Sequence, residues 1–295
     1  MTECTASILE SVQDTFNFSV DKFPLMGPDN IKTPYFGLCR SDTMEWVSDQ
    51  SVSKVYVPHT TEDVVALVEA AQSVFEGEHE AKCHWRKGHY VSVMPSDEHR
   101  RDIFGSKDNV LPRMLIRAAY DGKSFRATLG CFRDMCKNLI MLQSVAGITV
   151  NIRHSGGLRQ KMDALIDDFS QFDGGWENIV AQIEVMEGRE VAITQYLDAI
   201  YRPPAAGVTG REATIHENRT KLILERLLRE RIKSGRDNPL EFQKVTAWEA
   251  YNAVQGHVLH DASRSKKSTP FDRAILCHAD KKVLQAENLA LTMVS

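Results

Sequence analysis

A tight β-hairpin is the sequence feature that most constrains the fold. Residues 113–130 hold two apolar runs joined by Asp121-Gly122, a dipeptide favoured in two-residue turns because glycine adopts positive φ without strain. In the second run Phe125, Ala127 and Leu129 alternate with polar residues, which is the period of a half-buried strand. The sequence therefore predicts an antiparallel sheet built around this hairpin.

Further strands and helices are predicted on either side of the hairpin. Alternating segments at 82–86, 88–94 and 147–153 predict additional strands. Thr60 with Asp63, and Thr246 with Glu249, have the spacing of helix capping boxes. Helices are predicted from residue 60, at 132–142, 158–169, 176–186, 190–201, 212–233 and 247–262, and from residue 270.

The order of these elements predicts an α+β fold. We expect a small antiparallel β-sheet in the N-terminal half with helices packed on it, followed by a largely helical C-terminal half. Prolines and glycines between residues 24 and 37 interrupt regular patterns, so residues 1–50 are predicted as an arm or extended segment. The remaining regions are predicted as an α+β core domain over 51–201, a loop over 202–211 and a helical region packed on the core over 212–295.

Composition and cysteine usage predict a cytoplasmic protein. Hydrophobic residues make up 42% and charged residues 26%, values of ordinary globular proteins. No apolar run reaches the roughly 20 residues of a membrane helix, and the acidic N-terminus lacks the basic start of a signal peptide. The six cysteines show no metal or redox spacing, which indicates reduced thiols. If the chain is phage-encoded, its compartment would be the host cytoplasm.

A basic segment lies within a chain whose net charge is −4. Between Glu80 and Asp163 there are 15 Lys/Arg and 8 Asp/Glu, the pattern expected where a surface meets a polyanion. The open alternative is a solvated face that pairs with acidic residues elsewhere in the fold. The candidate nucleic-acid contacts are Arg86, Lys87, Arg113, Arg117, Lys123, Arg126, Arg133, Lys137, Arg153 and His154.

Two features strengthen this nucleic-acid hypothesis. Arg153-His154 stands before a predicted helix start at Ser155-Gly156-Gly157, where backbone amides and an arginine together suit an anion. Aromatic side chains in or near the segment could stack on bases, although a place in the core is the favoured alternative; they are Trp85, Tyr90 and Tyr120.

His257, His260 and Asp261 form the most metal-like cluster. Their spacing on a predicted helix brings three ligand types close together, although a buried hydrogen-bonding histidine explains the pattern as well. The glycine-rich phosphate loops and the Gly-Xaa-Ser-Xaa-Gly elbow of common hydrolases are missing from the sequence. We therefore expect no cofactor, and no catalytic residue is assigned.

Several segments resemble the phage/plasmid-like family catalogued as domain of unknown function 932. The resemblance rests on five stretches: residues 53–58, 117–126, 129–138, 153–156 and 246–260. Where that family usually has Ser-His-Asp-Gly, this chain has Ala119-Tyr120-Asp121-Gly122, and where it usually has Cys-Xaa-Asn-Gly, this chain has Cys136-Lys137-Asn138-Leu139. These departures argue against a shared catalytic histidine at the hairpin, and the resemblance implies a mobile-element context without an established activity.

Three functions remain open from the sequence. The leading hypothesis is a non-enzymatic nucleic-acid-binding protein that holds single-stranded DNA during phage recombination or replication, with several subunits along the strand. The second is a metal-dependent enzyme acting on nucleic acid or nucleotides. The third is an interaction module that modulates a host factor through the charged helix predicted at 212–233. No membrane partner is expected.

Overall fold

In a computed structural model the chain divides into two compact units. Unit 1 comprises residues 1–99, 112–130 and 147–176, and unit 2 comprises residues 100–111, 131–146 and 177–295. The structure describes residues 10, 12–15, 17–75, 79–85, 89–95, 97–105, 107–118, 120, 122, 124–146, 148–153, 155–156, 158, 160, 163–164, 169, 171–207, 209–261 and 280–293.

Unit 1 begins with a three-stranded antiparallel sheet. Its strands are β1 (Val20–Met26), β2 (Lys32–Arg40) and β3 (Val52–Ser53), in the order β1-β2-β3. The prediction that prolines and glycines prevent regular structure here is wrong. Pro24 is tolerated because β1 is an edge strand, where a missing N–H need not break the ladder.

A second antiparallel sheet in unit 1 contains the predicted hairpin. The strands are β4 (His79–Trp85), β5 (His89–Pro95), β7 (Asn109–Ala118), β8 (Phe125–Arg133) and β10 (Thr149–Ile152), in the order β10-β8-β7-β5-β4. Residues 109–111 of β7 and 131–133 of β8 belong to unit 2. Helix α1 (Thr61–Val74) packs against β5 and begins with the predicted capping box at Thr60. The hairpin, the flanking strands and the capped helix are thereby confirmed.

Unit 2 is mainly helical. The first residues of β7 pair with β6 (Arg101–Asp102), the last residues of β8 pair with β9 (Asn138–Ile140), and β11 (Glu190–Val191) pairs with β12 (Val245–Thr246). The helices are α2 (Gln171–Glu187, which begins in unit 1), α3 (Ile193–Ile200), α4 (Arg211–Ser234), α5 (Ala247–Gly256), a π-helical turn (His257–Asp261) and α6 (Lys281–Thr292).

The prediction of a helix at residues 132–142 is wrong. Strand β8 continues to Arg133, a four-residue turn follows in which Lys137 has φ +58°, and β9 begins at Asn138. The backbone N–H of Asp134 donates to the carbonyl of Asn109, so a partner distant in sequence takes the hydrogen bond that a helix would have used. The predicted helix at 158–169 and the start at residue 270 fall largely outside the described residues.

The remaining helices confirm an α+β fold with antiparallel sheets in the N-terminal half and helices in the C-terminal half. Helix α4 matches the predicted 212–233 to within two residues, and Thr246 caps α5 as its spacing indicated. Within the described ranges, every helix is too short or too polar to cross a membrane.

Candidate functional site

The surface of β8 and β10 in unit 1 carries two of the predicted phosphate contacts. Arg126 on β8 lies directly opposite Asn151 on β10, and its Nε donates to Asn151 Oδ1 at 2.8 Å. Alternation along β10 puts Thr149 on the same face as Asn151, and Arg153, the next residue in this alternation, is exposed just after the strand ends. We name Arg126, Thr149, Asn151 and Arg153 the β8–β10 face.

The opposite side of β8 explains why this face points to solvent. Phe125, Ala127 and Leu129 are at most 1% exposed. Because successive side chains of a strand point to opposite faces, these three pack in the core and Arg126 points to the other face. Asn151 is neutral, and its hydrogen bond therefore orients the Arg126 guanidinium without cancelling the positive charge. An oriented, charged guanidinium on an exposed sheet is suited to binding an oxyanion.

Two further predicted contacts lie on β7 and do not share this exposure. Arg117 is half-buried, and its Nη1 lies 3.5 Å from the backbone oxygen of Ser124. Arg113 is only 9% exposed. Their spacing places them on one face of β7, as the sequence predicted, but that face is largely covered.

Arg133 requires a correction, because its side chain is buried inside unit 2. Nε and Nη2 donate to the two carboxylate oxygens of Asp108 at 2.7 and 2.6 Å, and Nη1 donates to Glu230 Oε2 at 2.7 Å. The guanidinium also lies 5.5 Å from the ring centroid of Trp248. Each of the three guanidinium nitrogens donates to a carboxylate. Arg133 is therefore part of the buried interior of unit 2 and is not available to bind a phosphate at the surface.

Lys137 is exposed but already has an ionic partner. Its Nζ contacts Asp134 Oδ1 three residues earlier in the turn between β8 and β9, and the side chain also lies 5.6 Å from the ring of Phe132. These residues belong to unit 2, whereas the β8–β10 face belongs to unit 1. The four other predicted contacts fall outside the described residues; they are Arg86, Lys87, Lys123 and His154.

Of the three aromatic candidates for base stacking, the structure describes the side chain of one. Tyr120 is 2% exposed, stacks on His59 at a centroid distance of 3.9 Å and donates its hydroxyl to the backbone oxygen of His59 at 3.1 Å. This packing confirms the core alternative for Tyr120. The side chains of Trp85 and Tyr90 lie outside the described part of the chain.

The predicted metal ligands do not converge on a common point. Arg226 binds both carboxylate oxygens of Asp261, with Nε and Nη2 each at 2.7 Å. His260 Nε2 faces Asn138 Oδ1 at 3.1 Å, and His257 Nδ1 lies 3.9 Å from Asp261 Oδ2. Within the described residues no group of three His, Cys, Asp or Glu side chains could hold a metal ion. The arrangement therefore disfavours a metal centre at His257, His260 and Asp261.

Electrostatics around the π-helical turn agree with a structural role. Burial lowers the pKa of His257 despite the nearby Asp261 carboxylate, so the imidazole is neutral near pH 7. Burial would raise the pKa of Asp261, but the Arg226 fork outweighs it and lowers that pKa. His257 is thus buried and neutral, as the structural alternative expected, but among the described residues its Nδ1 has no hydrogen-bond partner.

Sequence reasoning missed a buried chain of alternating charges in unit 2. It runs from Asp108 through Arg133, Glu230 and Arg226 to Asp261, with Arg226 Nη1 3.6 Å from Glu230 Oε1. We call these five residues the ionic ladder. The only local signal for it was the spacing of Arg226 and Glu230, four apart on one helix, which is also the pattern of an ordinary surface pair.

Cys136 lies beside the ionic ladder, with its sulfur 3.9 Å from Arg133 Nη1. Burial raises the pKa of its thiol to about 12, and the Glu230 carboxylate acts in the same direction. A thiol held in its neutral form is a poor nucleophile, so the ladder does not supply an activated cysteine.

Comparison with known proteins places most of the chain in one family model. The model of a domain of unknown function, DUF932, matches residues 49–278. This range contains the β8–β10 face and the ionic ladder. No curated protein and no solved structure matches the chain.

Proposed function

The chain belongs to the DUF932 family, and from that premise we propose that it is a nucleic-acid-binding protein, encoded by a phage or plasmid, that holds single-stranded DNA during recombination or replication. The β8–β10 face of unit 1 is the surface that makes the contact. Family membership supplies no activity of its own, so the proposal depends on the chemistry of this face.

The observation that carries the proposal is that Arg126 on β8 and Arg153, just after the end of β10, lie diagonally across from each other on one face. Arg126 lies opposite Asn151, and Arg153 is two residues further along the same chain segment, which makes the two arginines diagonal neighbours. Diagonal neighbours on a sheet are separated by about 7–8 Å, within reach of successive phosphates for long side chains. Both side chains are exposed.

The neutral residues of the face complement the two arginines. Asn151 orients the guanidinium of Arg126, and the hydroxyl of Thr149 lies 3.3 Å from that of Thr128 on the adjacent strand. Hydroxyl and amide groups contact phosphate oxygens and sugars without reading the base sequence. The strand would thus be held by its backbone, which leaves its bases exposed for pairing.

A short cationic track on each subunit has a quantitative consequence. Two arginine–phosphate contacts give an expected slope of log affinity against log salt of about −1.4, because each contact on single strands contributes about −0.7. One subunit would therefore bind weakly, and tight binding requires several subunits on one strand. This is the reason for proposing a homo-oligomer along the DNA.

The test is a titration of the full chain against a fluorescent oligo-dT across a salt series. The double variant Arg126→Ala/Arg153→Ala is expected to bind at least roughly tenfold more weakly and to lose most of the salt slope. The matched control is Arg202→Ala, which removes one exposed arginine that belongs to unit 2 and is not part of the face. Equal losses in the double variant and the control would contradict the proposal, as would an affinity that is insensitive to salt.

A further inference from the structure

A solvent-open groove lies along helix α4 in unit 2, between that helix and α3. It has a volume of about 550 Å³. Its floor consists of three half-buried apolar side chains: Leu224 and Leu228, one turn apart on α4, and Phe242 from the segment that follows the helix. We name this cavity the α4 groove.

The rim of the α4 groove is predominantly acidic. Asp198 of α3 and Glu217 and Glu225 of α4 contribute three carboxylates, against the single ammonium group of Lys221. An apolar floor that is bordered by one sign of charge selects a partner with apolar side chains flanked by the opposite charge.

The length of the groove indicates the size of the partner. The lining residues of α4 extend from His216 to Leu228, and at 1.5 Å per residue this is about 18 Å. A helix of about 12 residues has the same length, whereas a compact small molecule would cover only part of the groove.

The walls of the groove are fixed in place by contacts at one end. His216 Nε2 lies 2.9 Å from the backbone oxygen of Tyr201, which follows α3. Lys282 Nζ contacts the backbone oxygen of Ile200, and Gln285 Nε2 donates to that of Ala199 at 2.7 Å. A pre-formed groove costs less conformational entropy on binding than one that must be assembled.

We propose that the α4 groove is a docking site for a basic amphipathic helix of a partner protein, with Leu- or Phe-type side chains on the floor and Lys or Arg against the acidic rim. This interaction is separate from nucleic-acid binding. It gives the charged helix α4 a specific role as one wall of the site, and it predicts the chemistry of the partner's segment.

The test uses two fluorescent peptides of about 14 residues with the full chain. One is an amphipathic helix of leucine and lysine, and the other has the same leucine positions with glutamate replacing lysine. The lysine peptide is expected to bind, and the glutamate peptide to bind at least roughly tenfold more weakly because the rim repels it.

Paired variants locate the binding in the groove. Leu224→Ser is expected to weaken the lysine peptide by roughly tenfold or more, and Glu217→Gln/Glu225→Gln by several-fold with reduced salt dependence. The matched controls are Leu222→Ser, which is 40% exposed on the same helix, and Glu184→Gln, exposed on α2; neither lines the groove. If Leu224→Ser unfolds the chain, the exposed glutamate pair still provides the test.

Four results would overturn the proposal. They are no binding of the lysine peptide, equal binding of both peptides, equal weakening by the controls, and self-association of the wild-type chain in sedimentation that Leu224→Ser abolishes. The last result would identify a second copy of the chain as the occupant of the groove.

Discussion

The guanidinium of Arg133 donates two parallel hydrogen bonds to the carboxylate of Asp108, and both side chains are almost wholly buried, with 2% and 1% of their surfaces exposed. Glu230 accepts a third hydrogen bond from the same guanidinium. A planar fork that satisfies two carboxylates is the geometry in which buried charge is tolerated, because each ion replaces the water that its partner has lost. This contact joins β8 to α4 inside unit 2.

Replacing Arg133 with Met is expected to destabilise unit 2 by about 3–5 kcal/mol, since it leaves Asp108 and Glu230 buried without a counter-charge. The measurement is urea unfolding of the full chain. Lys137→Gln serves as the control, because it removes only an exposed ion pair and should cost less than about 1 kcal/mol.

The double variant Arg133→Met/Asp108→Asn tests whether the two side chains are energetically coupled. Removing one of the two abandoned carboxylates should recover part of the lost stability, so the double variant should be more stable than the sum of the single changes. Strict additivity would show that the two side chains are not energetically coupled.

The ionic ladder also shows why part of the site was beyond sequence reasoning. Arg133 is the last residue of β8 and lies on the same side of the strand as Phe125, Ala127 and Leu129, whereas Arg126 lies on the opposite, exposed side. A charged residue at such an inward position is not expected from the sequence alone. The buried charge of Arg133 is balanced by the carboxylates of Asp108 and Glu230, which are 25 and 97 residues away in sequence. The strand at Arg133 was not predicted, because residues 132–142 have the apolar spacing of a helix. In the structure the backbone N–H of Asp134 instead donates to the carbonyl of Asn109.

Features that depend on neighbouring residues were predictable. The alternation of Phe125, Ala127 and Leu129 predicts strand β8, and Thr60 and Thr246 determine the starts of two helices through contacts between residues only three apart in sequence. The metal hypothesis is disfavoured for the opposite reason. The spacing of His257, His260 and Asp261 is local, but the groups that engage them, among them Arg226 and Asn138, come from distant segments.

Gly37→Ala is expected to destabilise unit 1 by about 1–3 kcal/mol. A Cβ at position 37 would lie 2.1 and 2.6 Å from two carbons of the Trp46 ring, so the ring must move or the strand must shift. Urea unfolding measures the stability, and the tryptophan emission spectrum reports the displaced ring, which is already 61% exposed.

Gly174→Ala is the matched control within the same unit. A Cβ there meets nothing within 4 Å, and the residue lies inside α2, so the change should stabilise the chain by about 0.5–1 kcal/mol. If Gly37→Ala left both stability and emission unchanged, the close approach of Trp46 to β2 would be refuted.

Thr246→Ala is expected to cost about 1–2 kcal/mol because the side chain serves two functions. Its Oγ1 accepts from the backbone N–H of Glu249 at 3.2 Å and donates to Glu187 Oε2 at 2.9 Å. Thr246→Ser retains the hydroxyl and should remain within about 0.5 kcal/mol of the wild type in urea unfolding.

Thr60→Ala provides the comparison, since Thr60 forms a capping box of the same kind with Asp63 at the start of α1. Its loss should be about 1 kcal/mol, smaller than that of Thr246→Ala. Equal losses at the two positions would show that the bond from Thr246 to Glu187 contributes nothing to stability.

His257 is expected to make the protein less stable as the pH falls below neutrality. Burial lowers the pKa of His257 in the folded chain below its ordinary value of 6.5, against the opposing influence of Asp261 at 3.9 Å. Just below that ordinary value, His257 binds a proton in the unfolded chain but stays neutral in the folded chain, so protonation favours unfolding. The stability that comes from keeping the imidazole neutral is fully present above the ordinary pKa of 6.5 and is lost progressively as the pH falls from there towards the lowered pKa of the folded chain.

The measurement compares the free energy of unfolding of the wild type and His257→Gln at several pH values in this range. The other titrating groups are common to both chains, and the lowered pKa of Asp261 acts only below its ordinary value of 3.8, so the difference isolates the imidazole. The advantage of the wild type over the variant should shrink as the pH falls. An advantage that stays constant would mean that folding does not shift the His257 pKa, and one that grows on acidification would mean that the folded chain favours the charged imidazole. Either result would overturn the assignment of a neutral, buried histidine beside the Arg226–Asp261 pair.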